Sequence, residues 1–256
     1  MEQLLEKLER GRITHKGENG RVTVLGGSKD FSGAPALAAE AALRTGADLV
    51  RVLTSEKVAP TVASYSENLI VDSYSGGYFS EENVEKAEEL VEWSDVTLAG
   101  PGLSEPETGA LRQLFAGSGS SFVFDSDAIP AAARAKVSGI YTPHQGETAA
   151  LKQENGSVER FVDENRATVV VTGPSDAVIG EENFRCERGT PAMTVGGTGD
   201  VLSGVIASLK AQGLEGFEAA KLGVWLNGRA GELATEEKGR GLLATDVVEK
   251  LPDAMR

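Results

Sequence analysis

The chain has 256 residues, 31 of them glycine, and carries 25 basic against 39 acidic side chains for a net charge of -14. That balance argues against a nucleic-acid surface, which needs clustered Lys and Arg. A single cysteine, Cys186, rules out an internal disulfide framework and a cysteine-based metal site and fits a reducing compartment. With no charged-then-apolar leader and no apolar run of about 18 residues, the expectation is a soluble cytoplasmic protein with no membrane partner. The acidity leaves two readings open. Either any anionic ligand is captured locally by backbone N–H groups, or the acidic surface maintains solubility in a salty cytoplasm.

In chain order, residues 1–20 read as a helical lead-in. Arg21–Leu25 is a short apolar, β-branched run of strand length, followed by a helical pattern over Ala34–Thr45 with Pro35 in its first turn and Gly46 past its end. Leu49–Leu53, Val96–Ala99, Phe122–Asp125, Gly139–Tyr141 and Thr168–Thr172 repeat the strand signal, with helical patterns at Glu81–Trp93 and Glu107–Phe115 between them. Val201 to Gln212 and Gly216–Glu237 are the late helices. Buried strands alternating with covering helices predict one α/β domain over residues 1–256, with a mostly parallel central sheet and helices on both faces.

Ligands of such sheets bind beyond the carboxyl ends of the strands. Five loops there are rich in Gly, Pro and small polar residues. They are Gly26–Ala34, Gly100-Pro101-Gly102-Leu103, Asp125-Ser126-Asp127, Thr142–Glu147 and Thr172-Gly173-Pro174-Ser175-Asp176. The most informative stretch is Gly196-Gly197-Thr198-Gly199-Asp200, which runs into the helix from Val201. Glycines permit close approach to a ligand, and a helix start presents unpaired N–H groups to an anion. A carboxylate beside a phosphate cradle suits orienting a hydroxyl or accepting its proton. The alternative is an ordinary glycine-rich turn with Asp200 favouring the helix dipole.

Other residues carry paired readings as well. His144 is a ligand contact or a structural loop histidine. Asp125 and Asp127 position a metal or a ribose, or cap the helix that follows. Glu147 is a dipole-favouring residue, and Cys186 a small hydrophobe. Spacing excludes a P-loop at Gly26–Gly33, a dinucleotide fingerprint at Gly197 (Leu202 stands where its third glycine belongs), and a Gly-x-Ser-x-Gly elbow. With His15 and His144 the only histidines, a histidine zinc site lacks ligands.

Taken together, these motifs resemble the NAD(P)H-hydrate dehydratases of the ribokinase-like superfamily. The resemblance rests on His15-Lys16-Gly17, Gly26-Gly27-Ser28, Ser32-Gly33-Ala34-Pro35, Gly100-Pro101-Gly102, Asp125-Ser126-Asp127-Ala128, Thr142-Pro143-His144-Gln145-Gly146-Glu147, Gly196 to Gly204 and Leu243-Ala244-Thr245-Asp246. It implies repair of hydrated NADH and NADPH: a phosphoryl group from ADP or ATP, ADP being the expected donor, converts the unwanted hydroxyl into a leaving group, and elimination restores the dihydronicotinamide. By carry-over, Asp200 is catalytic; Ala34, Gly102, His144 and Asp200 meet the hydrated dinucleotide; and Thr172, Gly173, Pro174, Ser175, Asp176, Gly197, Thr198 and Gly199 meet the nucleotide. Mg²⁺ is implied as the phosphate counter-ion, with no metal ligand assigned. A separate epimerase, because no epimerase domain is fused here, and a homo-oligomer, a tetramer, are the implied partners.

The chain departs from the family pattern at Thr172, where Lys is usual, near Thr190, where Asn is usual, and at Asn227, where His is common. Two competing functions remain: a ribokinase-like kinase of a vitamin precursor, and a nucleotide-binding protein of weak or no catalysis. The first has no reason to combine Gly-Pro-Gly with Thr-Pro-His-x-Gly-Glu. The second gains nothing from Asp200.

Overall fold

The computed structural model describes residues 1–11 and 13–256. In chain order its elements are α1 (Glu2–Glu6), β1 (Arg21–Leu25), α2 (Gly33–Arg44), β2 (Leu49–Ser55), α3 (Ala59–Tyr65), β3 (Ile70–Tyr74), α4 (Val84–Trp93), β4 (Val96–Ala99), α5 (Thr108–Gly117) and β5 (Ser121–Phe124). They continue with α6 (Ile129–Arg134), β6 (Ile140–Tyr141), α7 (Gln145–Asn155), α8 (Val158–Asn165), β7 (Thr168–Val171), β8 (Asp176–Ile179), β9 (Asn183–Cys186), α9 (Thr198–Ala211), α10 (Gly216–Lys238) and α11 (Ala244–Ala254).

The strands form one sheet in the order β3-β2-β1-β4-β5-β6-β7-β8-β9. Pairing is parallel from β3 through β7 and antiparallel from β7 to β8 to β9. Successive side chains of a strand point to opposite faces. Val22, Val24, Val50, Val52, Val96, Leu98 and Val123 therefore pack with α2, α9, α10 and α11 in one core. Leu25, Leu53, Ala99, Phe122, Phe124 and Tyr141 pack under the helices of the other face. There Phe115, Phe122, Phe124, Tyr141 and Phe161 form a chain of ring contacts at 4.9–5.3 Å. Each such buried aromatic contributes about 1.5–3 kcal/mol through its area alone. Among the described residues, no helix is long and apolar enough to cross a membrane.

The expected α/β architecture is present, with three differences in detail. The helical lead-in is helix only over Glu2–Glu6, and one of its residues, Arg12, lies outside the described residues. Asp48 explains the lost helix: its carboxylate accepts the N–H groups of Gly17 and Asn19 at 2.9 and 3.1 Å and holds this segment as a turn. Second, Asp125 and Thr172 leave their strands one residue early, because each begins a loop with its own hydrogen bonds. Third, β3 and the short antiparallel pair β8 and β9 extend the sheet beyond the strands read from the sequence.

What positions the site is the packing of α9 on α2. A Cβ at Gly204 would lie 2.1 Å from the carbonyl oxygen of Ala38, so only glycine permits this approach. The contact seats the first turn of α9 beside the loop ends of β1 and β4.

Candidate active site

The turn before α9 owes its shape to two side chains of opposite size. Gly197 adopts φ 97°, and a Cβ there would approach Leu37 Cδ1 to 2.7 Å and Ala244 Cβ to 3.0 Å. Thr198 donates its hydroxyl to the carbonyls of Met193 and Val195 at 2.9 and 3.2 Å, which locks the turn from the other side. Gly199 differs from Gly197: a Cβ would meet nothing within 4 Å, so its backbone faces open space. The N–H groups of Thr198, Gly199 and Asp200 precede the first intrahelical bond, which Val201 donates to Gly197. Three convergent donors and a positive dipole end thus face outward from a rigid support.

Asp200 sits half-buried in that first turn. Burial pushes its carboxyl up to about 6, against the pull of the helix dipole. Asp125, at the carboxyl end of β5, is 6% exposed and accepts hydrogen bonds from the Thr142 hydroxyl at 2.9 Å and its neighbour Ser126 N–H at 3.0 Å. Burial, and then the charge of Asp200, push it up to about 7. Asp125 is both the predicted cap and a charge facing the catalytic candidate. Asp127 Oδ2 accepts the Ser104 N–H at 2.8 Å and ties down the turn of Gly100 to Leu103, a role that stands beside its metal, ribose and helix-cap readings.

His144 caps α7. Its Nδ1 accepts the N–H groups of Gly146 and Glu147 at 2.9 and 3.2 Å, while Glu147 Oε2 accepts the His144 N–H at 2.8 Å. This reciprocal box fixes the ring with Nδ1 as acceptor and leaves Nε2 of the exposed imidazole as the N–H nitrogen, 3.7 Å from Glu147 Oε1. The structural role and an outward contact coexist in one residue.

His144, Thr172, Gly173, Pro174, Asp176, Thr198 and Gly199 line one cavity of about 750 Å³. Asp176 accepts the Gly173 N–H at 3.0 Å and so organises the loop that it lines, and burial raises its carboxyl. Gly197, Asp200 and Ser175 adjoin the cavity in sequence without lining it. Ala34 and Gly102 form a separate pair: a Cβ on Gly102 would stand 3.2 Å from Ala34 Cβ and 3.1 Å from that of Phe31. The strand ends therefore present two regions, the cavity and the Ala34–Gly102 contact, with the α9 turn carrying residues that belong to the first. Sequence reasoning did not assign Arg188, Met193 or Leu202 to the cavity. Thr190 and Asn227, also in its wall, had stood out only as departures from a pattern. Among the described residues, no group of three His, Cys, Asp or Glu could hold a metal ion.

A family model described as NAD(P)H-hydrate dehydratase matches residues 22–253. The chain is 40% identical over 241 residues to the ADP-dependent (S)-NAD(P)H-hydrate dehydratase of Haloterrigena turkmenica, covering 93% of this chain and 94% of the relative. A ribokinase-like superfamily protein of Enterococcus faecalis superposes with TM-score 0.87 at 26% identity, over 100% of this chain and 94% of that one. The fold is also that of the ADP/ATP-dependent NAD(P)H-hydrate dehydratase of Bacillus subtilis, co-crystallised with ATP and Mg²⁺, with TM-score 0.81 at 24% identity over 99% and 95% of the two chains. The sheet, the helix-start cradle and these matches agree: the chain belongs to the NAD(P)H-hydrate dehydratase family.

Proposed function

We propose that this enzyme dehydrates hydrated NADH and NADPH, with ADP as phosphoryl donor and AMP and phosphate as by-products. The observation that carries the reading is the pairing, in one helical turn, of outward N–H donors at Thr198 and Gly199 with the half-buried carboxyl of Asp200. The N–H groups stabilise charge on the phosphoryl group in transit. Asp200, poised at about 6, is ionised at neutral pH yet basic enough to take the proton of the substrate hydroxyl as the O–P bond forms. Phosphate then leaves with the C–O bonding electrons, the ring gives up a proton, and the double bond returns. His144, Ala34 and Gly102 would contact the hydrated dinucleotide, and Thr172 to Asp176 with Gly197 to Gly199 the donor.

The residues present fit a Mg²⁺ ion that arrives on the nucleotide. Mg²⁺ keeps several waters and binds through one or two carboxylates plus substrate phosphates, and so needs no protein cage of three ligands. Asp200, in the cradle turn itself, and Asp176, in the wall of the same cavity, are carboxylates that could hold it, and the ion would supply neutralisation of phosphate charge. The Haloterrigena turkmenica relative is named for the S hydrate, so an epimerase acting beforehand would be needed for the opposite epimer. A cytoplasmic location and a homo-oligomer complete the reading, and sedimentation tests the latter.

The test is recovery of dihydronicotinamide absorbance from hydrated NADH, with ADP and ATP supplied separately. A kinase of the same superfamily would instead leave a stable phosphorylated product and restore no absorbance.

A further inference from the structure

Asn227 lies on α10 with 5% of its surface exposed, and its Oδ1 has no hydrogen-bond partner. It nevertheless belongs to the wall of the 750 Å³ cavity. A buried carboxamide oxygen is costly to leave unpaired, so a polar group from outside the chain is the expected partner.

Its polar neighbours in the wall are already committed. Arg188 pairs with Glu232 at 2.5 Å and lies over the Trp225 ring at 5.1 Å. Thr190 shares a hydrogen bond with Thr235 at 2.8 Å, and Thr194 donates to the Pro191 carbonyl at 2.9 Å. Thr198 is held by Met193 and Val195. Gln145 is a second carboxamide of the wall, but Asn227 is the one whose oxygen is buried without a partner. The next residue, Gly228, lets the chain at Arg188 close over it: a Cβ there would fall 2.6 Å from Arg188 Cβ.

The cavity wall joins the N–H donors of Thr198 and Gly199 to Leu202, about one helical turn farther along α9, and to Pro191 and Met193, the latter held to the cradle by the Thr198 hydroxyl. A cavity that combines outward N–H donors with the apolar walls of Pro191, Met193 and Leu202 matches the phosphates and the flat base of a nucleotide. A carboxamide is complementary to the edge of adenine, which sets an amino donor beside a ring-nitrogen acceptor.

We infer that Asn227 reads the base of the phosphate donor, its Oδ1 accepting from the 6-amino group of adenine and its Nδ2 donating to N7. The inference rests on the cavity being the donor site. A 6-oxopurine presents an oxygen where the amino group should be, and leaves Oδ1 buried and unpaired.

Calorimetry with ADP, IDP and the 5′-diphosphate of purine riboside, which lacks the 6-amino group, tests this on the wild-type protein and on Asn227→Leu and Asn227→Ala. The wild type should prefer ADP over both analogues by about ten-fold or more, and both variants should lose most of that preference. Equal wild-type affinities for the three nucleotides overturn the base contact whether or not the variants fold. An ADP preference retained in a folded variant overturns it as well. If the wild type binds none of the three, the donor-site reading falls and the base contact with it.

Discussion

The Thr142 hydroxyl donates to the buried Asp125 carboxylate at 2.9 Å, joining the carboxyl ends of β6 and β5 beside the turn that bears Asp200. Asp125 is raised from 3.8 to about 7 by burial first and by the charge of Asp200 second. Its folded-state value therefore lies above its unfolded one, and the folded protein holds a proton that the unfolded chain has released. Stability contributed by this group is present at low pH and is lost as pH rises from about 4 through about 7. Asp125→Asn keeps an oxygen for Thr142 and abolishes the titration. The variant should melt above the wild type near about pH 8, with the gap closing toward about pH 4. A gap that stays constant across a pH series of thermal melts would show that Asp125 ionises freely.

Asp200→Asn should preserve the fold and the affinity for metal-free nucleotide while lowering turnover by a factor on the order of 10² or more. In the wild type, activity should fall as pH drops through about 6, because protonated Asp200 cannot accept the hydroxyl proton. A variant that dehydrates its substrate at near wild-type rates would remove Asp200 from the chemistry.

The two glycines of the turn should respond differently to substitution. Gly199→Val meets nothing within 4 Å, so its melting temperature should stay near that of the wild type while donor affinity drops, the side chain occupying the approach of the phosphate. Gly197→Ala places a Cβ against Leu37 and Ala244 at φ 97° and should cost at least about 1–3 kcal/mol of stability. Calorimetry and thermal melts on the pair separate the roles. Unchanged ADP affinity in Gly199→Val would reduce the turn to architecture.

Thr172 lines the cavity in the loop where a lysine is usual in the family. Thr172→Lys should tighten ADP or ATP binding by roughly 1 kcal/mol at low salt, since an ammonium reaching phosphate through solvent gains modestly. The gain should shrink as ionic strength rises, and turnover need not follow, because donor and transition state are stabilised alike. Equal affinities of the two proteins at low salt would mean that position 172 does not face the phosphates.

Much of the fold and the form of the turn before α9 were legible in the sequence, because both depend on local patterns. Apolar runs such as Arg21–Leu25 and Val96–Ala99 became strands at their predicted bounds, since their burial on both faces leaves little choice of conformation. Gly197 to Asp200 carried its own instruction: a positive φ, a helix start and a carboxylate are all set by adjacent residues. What depends on contacts between distant segments was decided only by the tertiary structure. The lead-in unwound because Asp48, far along the chain, captures Gly17 and Asn19. Asp127 is committed to the Ser104 N–H, which no spacing announces. Asn227 came to the cavity because α10 lays it beside Arg188 and Leu202 from elsewhere in the chain. Whether a polar side chain ends up satisfied or left facing a ligand depends on every donor and acceptor the fold brings within reach, and that inventory exists only after the chain has closed.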